Sequence, residues 1–415
     1  MKAKTTKYTS LRQLINGPSE KSLVPNGLAY VTHFLHNANN GVSHYYKEQA
    51  RNYLLSIKEI SDLVNDESFN YFLPIQWDVP FPAPKDPDFK FIDLFAGIGG
   101  FRIAFQKLNG KCVFSSEINE SAKQTYEKNF GEWPFGDIKD FTGPQISDEK
   151  LNKLVADHDI LTGGFPCQPF SLAGVSARNH LGLAHGFNDT KQGNLFFDIA
   201  RIIEVKKPSV VFLENVKNFE SHDGKKTFNT VKSIIRDLGY DFHSKVINAN
   251  KVVPQNRQRF YMVCFREENN FFSFPEFEGH PKPLRSILEE NVPESYTISD
   301  RLWNGHQRRT EKNLNRGTGF TAFEADLDKP SNTIVARYGK DGKECLIPQL
   351  NKNPRKLTPL ECARLQGFPD KYILPSSNAA AYRQFGNSVA VPVIEAIGKN
   401  ILESLKKLKS SKNGV

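Results

Sequence analysis

A chain of 415 residues exceeds the usual span of one hydrophobic core, so two or three packed units are expected. Hydrophobic residues at 39% and charged residues at 24% exclude a disordered chain and suit a globular one. The 55 Lys and Arg outnumber the 46 Asp and Glu, and the net charge of +9 favours a polyanionic partner without establishing one. Five scattered cysteines (Cys112, Cys167, Cys264, Cys345, Cys362) form no CxxC pair and accompany no His cluster. Neither a disulfide framework nor a zinc site is expected, and a reducing cytosol fits. The opening MKAKTTKYTS is not followed by an apolar stretch of secretory type. No apolar run approaches the ~18 residues of a membrane span.

Along the chain, residues 1 to about 80 mix short helical stretches with Asn- and Ser-rich breaks. Within 43–64, Tyr46, Ala50, Tyr53, Leu54 and Ile57 fall near one helical face. The proline-rich PFPAPKDPDF (80–89) favours extended backbone and marks a module boundary. Strands and helices then alternate. Strands are expected at 89–94, 111–116, 159–162, 209–213, 240–248 and 259–265. Helices are expected from the turn after residue 94 to 108, and at 196–205 and 227–238. This rhythm predicts a largely parallel sheet with helices on both faces. It is lost beyond residue 268, where Phe, Pro, Gly, Asn and Arg dominate and 331–338 is a strand candidate. Helices return at 358–366 and 391–408.

FIDLFAGIGGF (91–101) sets glycines between a strand and a helix, where backbone turns sharply and a ligand can approach the helix start. The third glycine of the dinucleotide fingerprint would fall at Arg102, so an amino-acid-and-nucleoside ligand suits this loop better than a pyrophosphate. A plain tight turn accounts equally for the loop alone. Glu117, ending the next strand, is placed to bind ribose hydroxyls. Asp137 in GDI (136–138) is placed to meet an adenine amino group.

GGFPCQPFS (163–171) follows a predicted strand and carries Cys167 between Pro166 and Pro169. A lone cysteine is commonly a small buried hydrophobe, but a rigid proline-flanked loop is poor core material and aims a side chain well. PSVVFLENV (208–216) ends a neighbouring strand with Glu214 and Asn215. VPQNRQRF (253–260) sets Arg257 and Arg259 on one face of an extended segment.

These motifs together resemble the DNA cytosine-5 methyltransferase family, in its bacterial type II restriction–modification branch. The likeness runs from FIDLFAGIGGF through SSEINE, GDI, GGFPCQPFS, GNLFFDIARII, FLENV and VPQNRQRF. It resumes at KLTPLECARLQGFPD (356–370) and closes at FGNSVAVPV (385–393), covering most of 88–268 and 354–405 in the family's order. The resemblance implies an α/β, Rossmann-like core that uses S-adenosylmethionine as methyl donor and needs no metal. It implies Cys167 as nucleophile, Glu214 at the base N3, and Arg259 with Arg257 near the base carbonyl. Cofactor contacts would come from Phe95, Gly97, Ile98, Gly99, Glu117, Asp137, Ile138, Leu195, Asn387 and Ser388. Residues 172–194 would form the loop that closes over a flipped base, with Ser171 and Arg178 as candidates.

The expected organisation is an N-terminal accessory region (1–86), a catalytic and cofactor-binding core (87–268), a smaller irregular target-recognition domain (269–373) and a C-terminal segment returning to the core (374–415). RLWNGHQRRTEKNLNRGTGF (301–320) mixes residue types that contact phosphates and base edges, and a solvated basic loop accounts for any single one of them. For the accessory region a structural cap ranks first, ahead of an added DNA-binding module or a transcriptional regulator. The expected partner is double-stranded DNA, with a functional pairing to a restriction endonuclease. A monomer in the bacterial cytoplasm is expected, associated with the nucleoid through DNA and with no membrane contact. The nearest alternative is a tRNA cytosine-5 methyltransferase on the same core, and the long basic recognition region favours duplex DNA over it.

Overall fold

The structure, a computed structural model, describes residues 6–15, 26–37, 41–57, 75–166, 195–317, 319 and 321–413. The chain forms two compact units, Met1–Lys245 with Phe260–Asn270, and Val246–Arg259 with Phe271–Val415. The described part of the accessory region thus belongs to the first unit, and the C-terminal segment to the second.

Six strands build the central sheet: β1 (Phe89–Leu94), β2 (Gly110–Ser116), β3 (Ile160–Gly164), β4 (Val210–Val216), β5 (Asp241–Asn248) and β6 (Gln258–Phe265). Their order is β2-β1-β3-β4-β6-β5. β1 runs parallel to both β2 and β3, and β3 to β4. Phe91, Ile92, Leu94, Val210 and Val211 are fully buried, which is why these strands read as near-continuous apolar runs rather than alternating ones. Helices Gly100–Lys107, Glu120–Phe130, Leu195–Lys206 and Lys226–Asp237 fall between the strands. The chain steps from β1 to β2 on one side and then to β3 on the other. The carboxyl ends of β1 and β3 therefore flank a topological switch point, where ligands bind in such sheets.

The accessory region covers the sheet edge at β2. Eight of the ten residues of helix Gly27–His36 are buried, among them the polar Thr32, His33 and His36, so this helix packs on nearly all sides. His33 Nδ1 bonds the Ala29 carbonyl at 2.8 Å, an acceptor, so this nitrogen carries the proton. Nε2 is then the acceptor of the Ser115 N–H at 3.1 Å. Burial lowers the His33 pKa, which keeps the ring neutral for that role. The Tyr46 hydroxyl donates to the Val113 carbonyl, and His36 stacks on Trp77 with centroids 3.7 Å apart. An edge strand's unpaired backbone is thereby sheltered.

Two expectations differ from the structure. Residues 331–338 form no strand; Ser331 makes a single bridge to Gln255, and Tyr338–Asp341 is a short helix. The basic segment 301–320, for which no helix was expected within an irregular domain, is largely the 17-residue helix Asp300–Arg316. Its ends explain it: the Ser299 hydroxyl accepts the Leu302 N–H at 3.4 Å, and Gly317 at φ 64° closes the last turn. Gly305 and several Asn residues obscure that helix in sequence. Of the expected helix within 43–64, Lys47–Leu55 is present and residues beyond 57 lie outside the described set.

In the second unit, Glu361 ties the entry of helix Pro359–Leu365 to its surroundings. Its carboxylate accepts the Thr358 N–H in a capping box and both Arg355 bonds, each at 2.8 Å, and the Glu289 N–H at 2.9 Å.

Candidate active site

The glycine loop leaves β1 through three residues with positive φ: Phe95 at 55°, Gly97 at 54° and Gly99 at 81°. A bulky residue in that region is strained, a state usually retained where function needs it. The two glycines do different jobs. A Cβ on Gly99 would come within 2.2 Å of the Phe130 ring, so helix packing requires glycine there. A Cβ on Gly97 would meet only the Phe95 carbonyl at 3.9 Å, so the space before Gly97 is open to a ligand. Ile98 is buried behind the loop.

Glu117 joins this loop to the end of β2. Its Oε2 accepts the Gly97 N–H at 2.8 Å and its Oε1 the Asn119 N–H at 2.7 Å. Burial raises its pKa, against the lowering effect of those two N–H groups. The Glu117 N–H donates to the Phe135 carbonyl at 2.9 Å, and the Phe135 N–H returns to the Ser115 carbonyl at 2.9 Å. Half-buried Asp137 and buried Ile138 follow two and three residues later, so the predicted ribose and adenine carboxylates share one backbone frame. Leu195 is half-buried at the first position of its helix.

Two residues here escaped the sequence reading. Asp93, within β1, is fully buried with neither carboxylate oxygen hydrogen-bonded among the described residues, and burial pushes its pKa well up. An acidic residue inside an apolar strand was the available signal. Ile118, immediately after Glu117, is 69% exposed, an apolar side chain open beside the ribose carboxylate.

β3 and β4 pair in register, setting Gly164 opposite Glu214. Glu214 Oε2 would lie 3.4 Å from a Cβ on Gly164, so the buried carboxylate rests over that glycine, three residues before Cys167. Asn215 Nδ2 donates to the Phe165 carbonyl at 3.0 Å and anchors the loop's first residue. Cys167, Ser171, Arg178 and the loop 172–194 lie outside the described residues. The other four cysteines are buried. Burial pushes their thiols up, Cys345 to about 12 and Cys112, Cys264 and Cys362 in the same direction, so none offers a thiolate near neutral pH.

In the second unit, Arg257 is buried, and its guanidinium donates to the carbonyls of Ile334 (3.3 Å), Gly386 (3.3 Å) and Ser388. It therefore holds the GNS segment from within, a job the sequence reading had not separated from that of Arg259. Half-buried Arg259 donates Nη1 to the Gln258 carbonyl at 2.9 Å. A Cβ on Gly386 would lie 2.3 Å from the Val335 carbonyl carbon, so only glycine allows this approach. Asn387 is exposed and Ser388 half-buried beside it. Among the described residues no group of three His, Cys, Asp or Glu could hold a metal ion. None of their helices is long and apolar enough to cross a membrane.

A mostly parallel sheet with a glycine loop at its switch point is the Rossmann-like architecture of methyltransferases. The same fold appears in a Spodoptera frugiperda DNMT2 variant (TM-score 0.58, 23% identity, 75% of this chain and 99% of that one). It appears also in a putative DNA modification methyltransferase of an Escherichia coli prophage (TM-score 0.54, 20% identity, 76% and 99%). The family model for C-5 cytosine-specific DNA methylase matches residues 89–403. The chain belongs to that family and is a DNA (cytosine-5) methyltransferase. It is 48% identical to type II methyltransferase M1.ScrFI of Lactococcus lactis subsp. cremoris over 340 residues, 80% of this chain and 82% of the relative. It is 44% identical to type II methyltransferase M.HpaII of Haemophilus parainfluenzae over 347 residues, 77% and 91%.

Proposed function

We propose that the protein methylates carbon 5 of one cytosine within a short duplex DNA sequence, using S-adenosylmethionine, and so protects DNA from a paired restriction endonuclease. The observation that carries this reading is the register of β3 and β4, with Glu214 opposite Gly164, three residues before Cys167 in the chain. The type II relatives support the restriction–modification setting; in this reading the protein works in the bacterial cytoplasm, as a monomer.

Cys167 adds as thiolate to C6 of the flipped cytosine, which makes C5 nucleophilic. Glu214 holds a proton at N3 and stabilises the charge that this addition creates. Arg259 neutralises charge near the base carbonyl, while Arg257 acts as a positioning residue through the carbonyls it binds. After C5 is methylated, solvent takes its proton, the freed electron pair re-forms the C5–C6 double bond, and Cys167 leaves as the thiolate. S-adenosylmethionine supplies the methyl group when bound. Gly97, Glu117, Asp137 and Ile138 fit its nucleoside: open space lies before Gly97, and Glu117 is already oriented by two N–H groups. The family likeness adds Phe95, Ile98, Gly99, Leu195, Asn387 and Ser388. Glu117→Ala is expected to raise the Kd for S-adenosylmethionine about ten- to a hundredfold, the size of one hydrogen bond to a charged group. Calorimetry reads this directly.

The second unit supplies the surface for DNA. A cleft of about 390 Å³ is lined by Arg337, Lys340, Lys356 and Arg383 with Tyr296 and Asn378, and no carboxylate among the described residues lines it. Helix Asp300–Arg316 exposes Arg301, Arg308, Arg309, Lys312 and Arg316. Lys340→Ala with Arg383→Ala is expected to weaken duplex binding and to flatten the log K against log salt slope by about 1–2, because each phosphate that a cation neutralises adds about 0.9 to that slope. Filter binding across a salt series checks it; an unchanged slope removes the cleft from the interface.

The defining experiment incubates the protein with S-adenosylmethionine and mixed duplex DNA and maps 5-methylcytosine by bisulfite sequencing. Methylation confined to one short motif is expected. Methylation of RNA alone would overturn the duplex reading.

A further inference from the structure

The family match begins at residue 89, yet the described part of the N-terminal region reaches the loop that carries Asp137. Asn26 precedes helix Gly27–His36 in the left-handed region (φ 58°), but its side chain does not cap that helix. Its Oδ1 instead accepts the Gly136 N–H at 3.2 Å, and its Nδ2 reaches Asp140 Oδ2 at 3.5 Å. Further along the helix, Thr32 Oγ1 accepts the Trp133 N–H at 3.0 Å, and Tyr30 packs edge-on against Phe135 with centroids 5.0 Å apart. Segment 133–136 is thus held from outside by Asn26, Tyr30 and Thr32, and from inside by the Phe135 bonds to Ser115 and Glu117.

We propose that residues 26–32 form the outer wall of the nucleoside pocket, with Asn26 as a positioning residue that sets S-adenosylmethionine affinity through Asp137. Asparagine suits both demands on position 26: it tolerates left-handed backbone, and its amide reaches the loop. Without that acceptor the Gly136 N–H turns toward water, and Asp137 loses the backbone orientation that faces the adenine. The inference rests on the reading of Glu117 and Asp137 as cofactor contacts.

The test uses the full chain and calorimetry with two probes, S-adenosylmethionine and 5′-methylthioadenosine, which lacks the amino-acid part. Asn26→Gly keeps the left-handed backbone and removes the amide, while Asn26→Asp keeps an acceptor. Asn26→Gly is expected to weaken both probes by the same factor, about three- to tenfold, the scale of one net hydrogen bond. Asn26→Asp should lose less than Asn26→Gly, because the acceptor for the Gly136 N–H stays while its second oxygen faces the Asp140 carboxylate. In an Asp137→Ala background, Asn26→Gly should cause no further loss, because both act through one contact. KM for S-adenosylmethionine should rise with kcat and KM for DNA unchanged. Unaltered affinity in a folded Asn26→Gly protein overturns the proposal, as does a full loss that persists in the Asp137→Ala background. If Asn26→Gly does not fold, Thr32→Val removes the acceptor at the other end of the segment: weaker binding supports the wall, and unchanged binding overturns it. A folded parent protein that binds neither probe overturns the cofactor reading itself, a different result from a parent that binds and a variant that binds equally well.

Discussion

Cys167→Ala is expected to abolish methyl transfer, by about 10⁴-fold or more, while leaving the affinity for S-adenosylmethionine and the unfolding midpoint near those of the parent. The size follows from removing a covalent nucleophile, because the remaining groups can bind and orient the base but cannot activate C5. No other thiol can substitute: Cys112, Cys264, Cys345 and Cys362 are buried, with thiols held in the protonated form. Glu214→Gln should cost less, about 10²–10⁴-fold, as loss of one positioned proton donor does. Transfer of labelled methyl into duplex DNA checks both. A Cys167→Ala protein within tenfold of the parent would refute covalent catalysis at this residue.

Glu132→Ala is expected to destabilise the protein by about 3–5 kcal/mol at neutral pH, the cost of stranding a buried charge without its partner. Arg102 Nη1 lies 2.7 Å from Glu132 Oε1, and both side chains are fully buried. The guanidinium also lies over the rings of Tyr126 and Phe130 and donates to the Tyr126 hydroxyl at 3.0 Å. The Ser115 hydroxyl donates to Glu132 at 2.9 Å. Burial acts to raise the Glu132 pKa, but Arg102 first, then His33, His36 and the Ser115 bond, outweigh it and hold the group down to about 2. A depressed folded pKa means that this stability is present above the unfolded value of about 4.3 and is lost as pH falls toward about 2. Urea midpoints measured between pH 7 and pH 3 should therefore fall more steeply in the parent than in Glu132→Gln below about pH 4.5. Parallel curves would show that Glu132 carries no such linkage.

The sequence by itself determined whatever depends on near neighbours. Strand–helix alternation from residue 89 onward was legible because buried strands and amphipathic helices have different periods. The glycine loop, Glu117 and Glu214 were legible because each ends or follows a strand, and a parallel sheet gathers such ends along one edge. Helix Asp300–Arg316 was not legible because its polar composition, with Gly305 and several Asn, hides the face it packs with, while its ends at Ser299 and Gly317 are ordinary caps. Only the tertiary structure decided which polar groups answer one another across long stretches of chain. Asn26 meets Gly136 across 110 residues, and Arg257 meets Gly386 across 129. A buried polar group must find a partner wherever the packed chain supplies one, and no local pattern of residues encodes which partner that is.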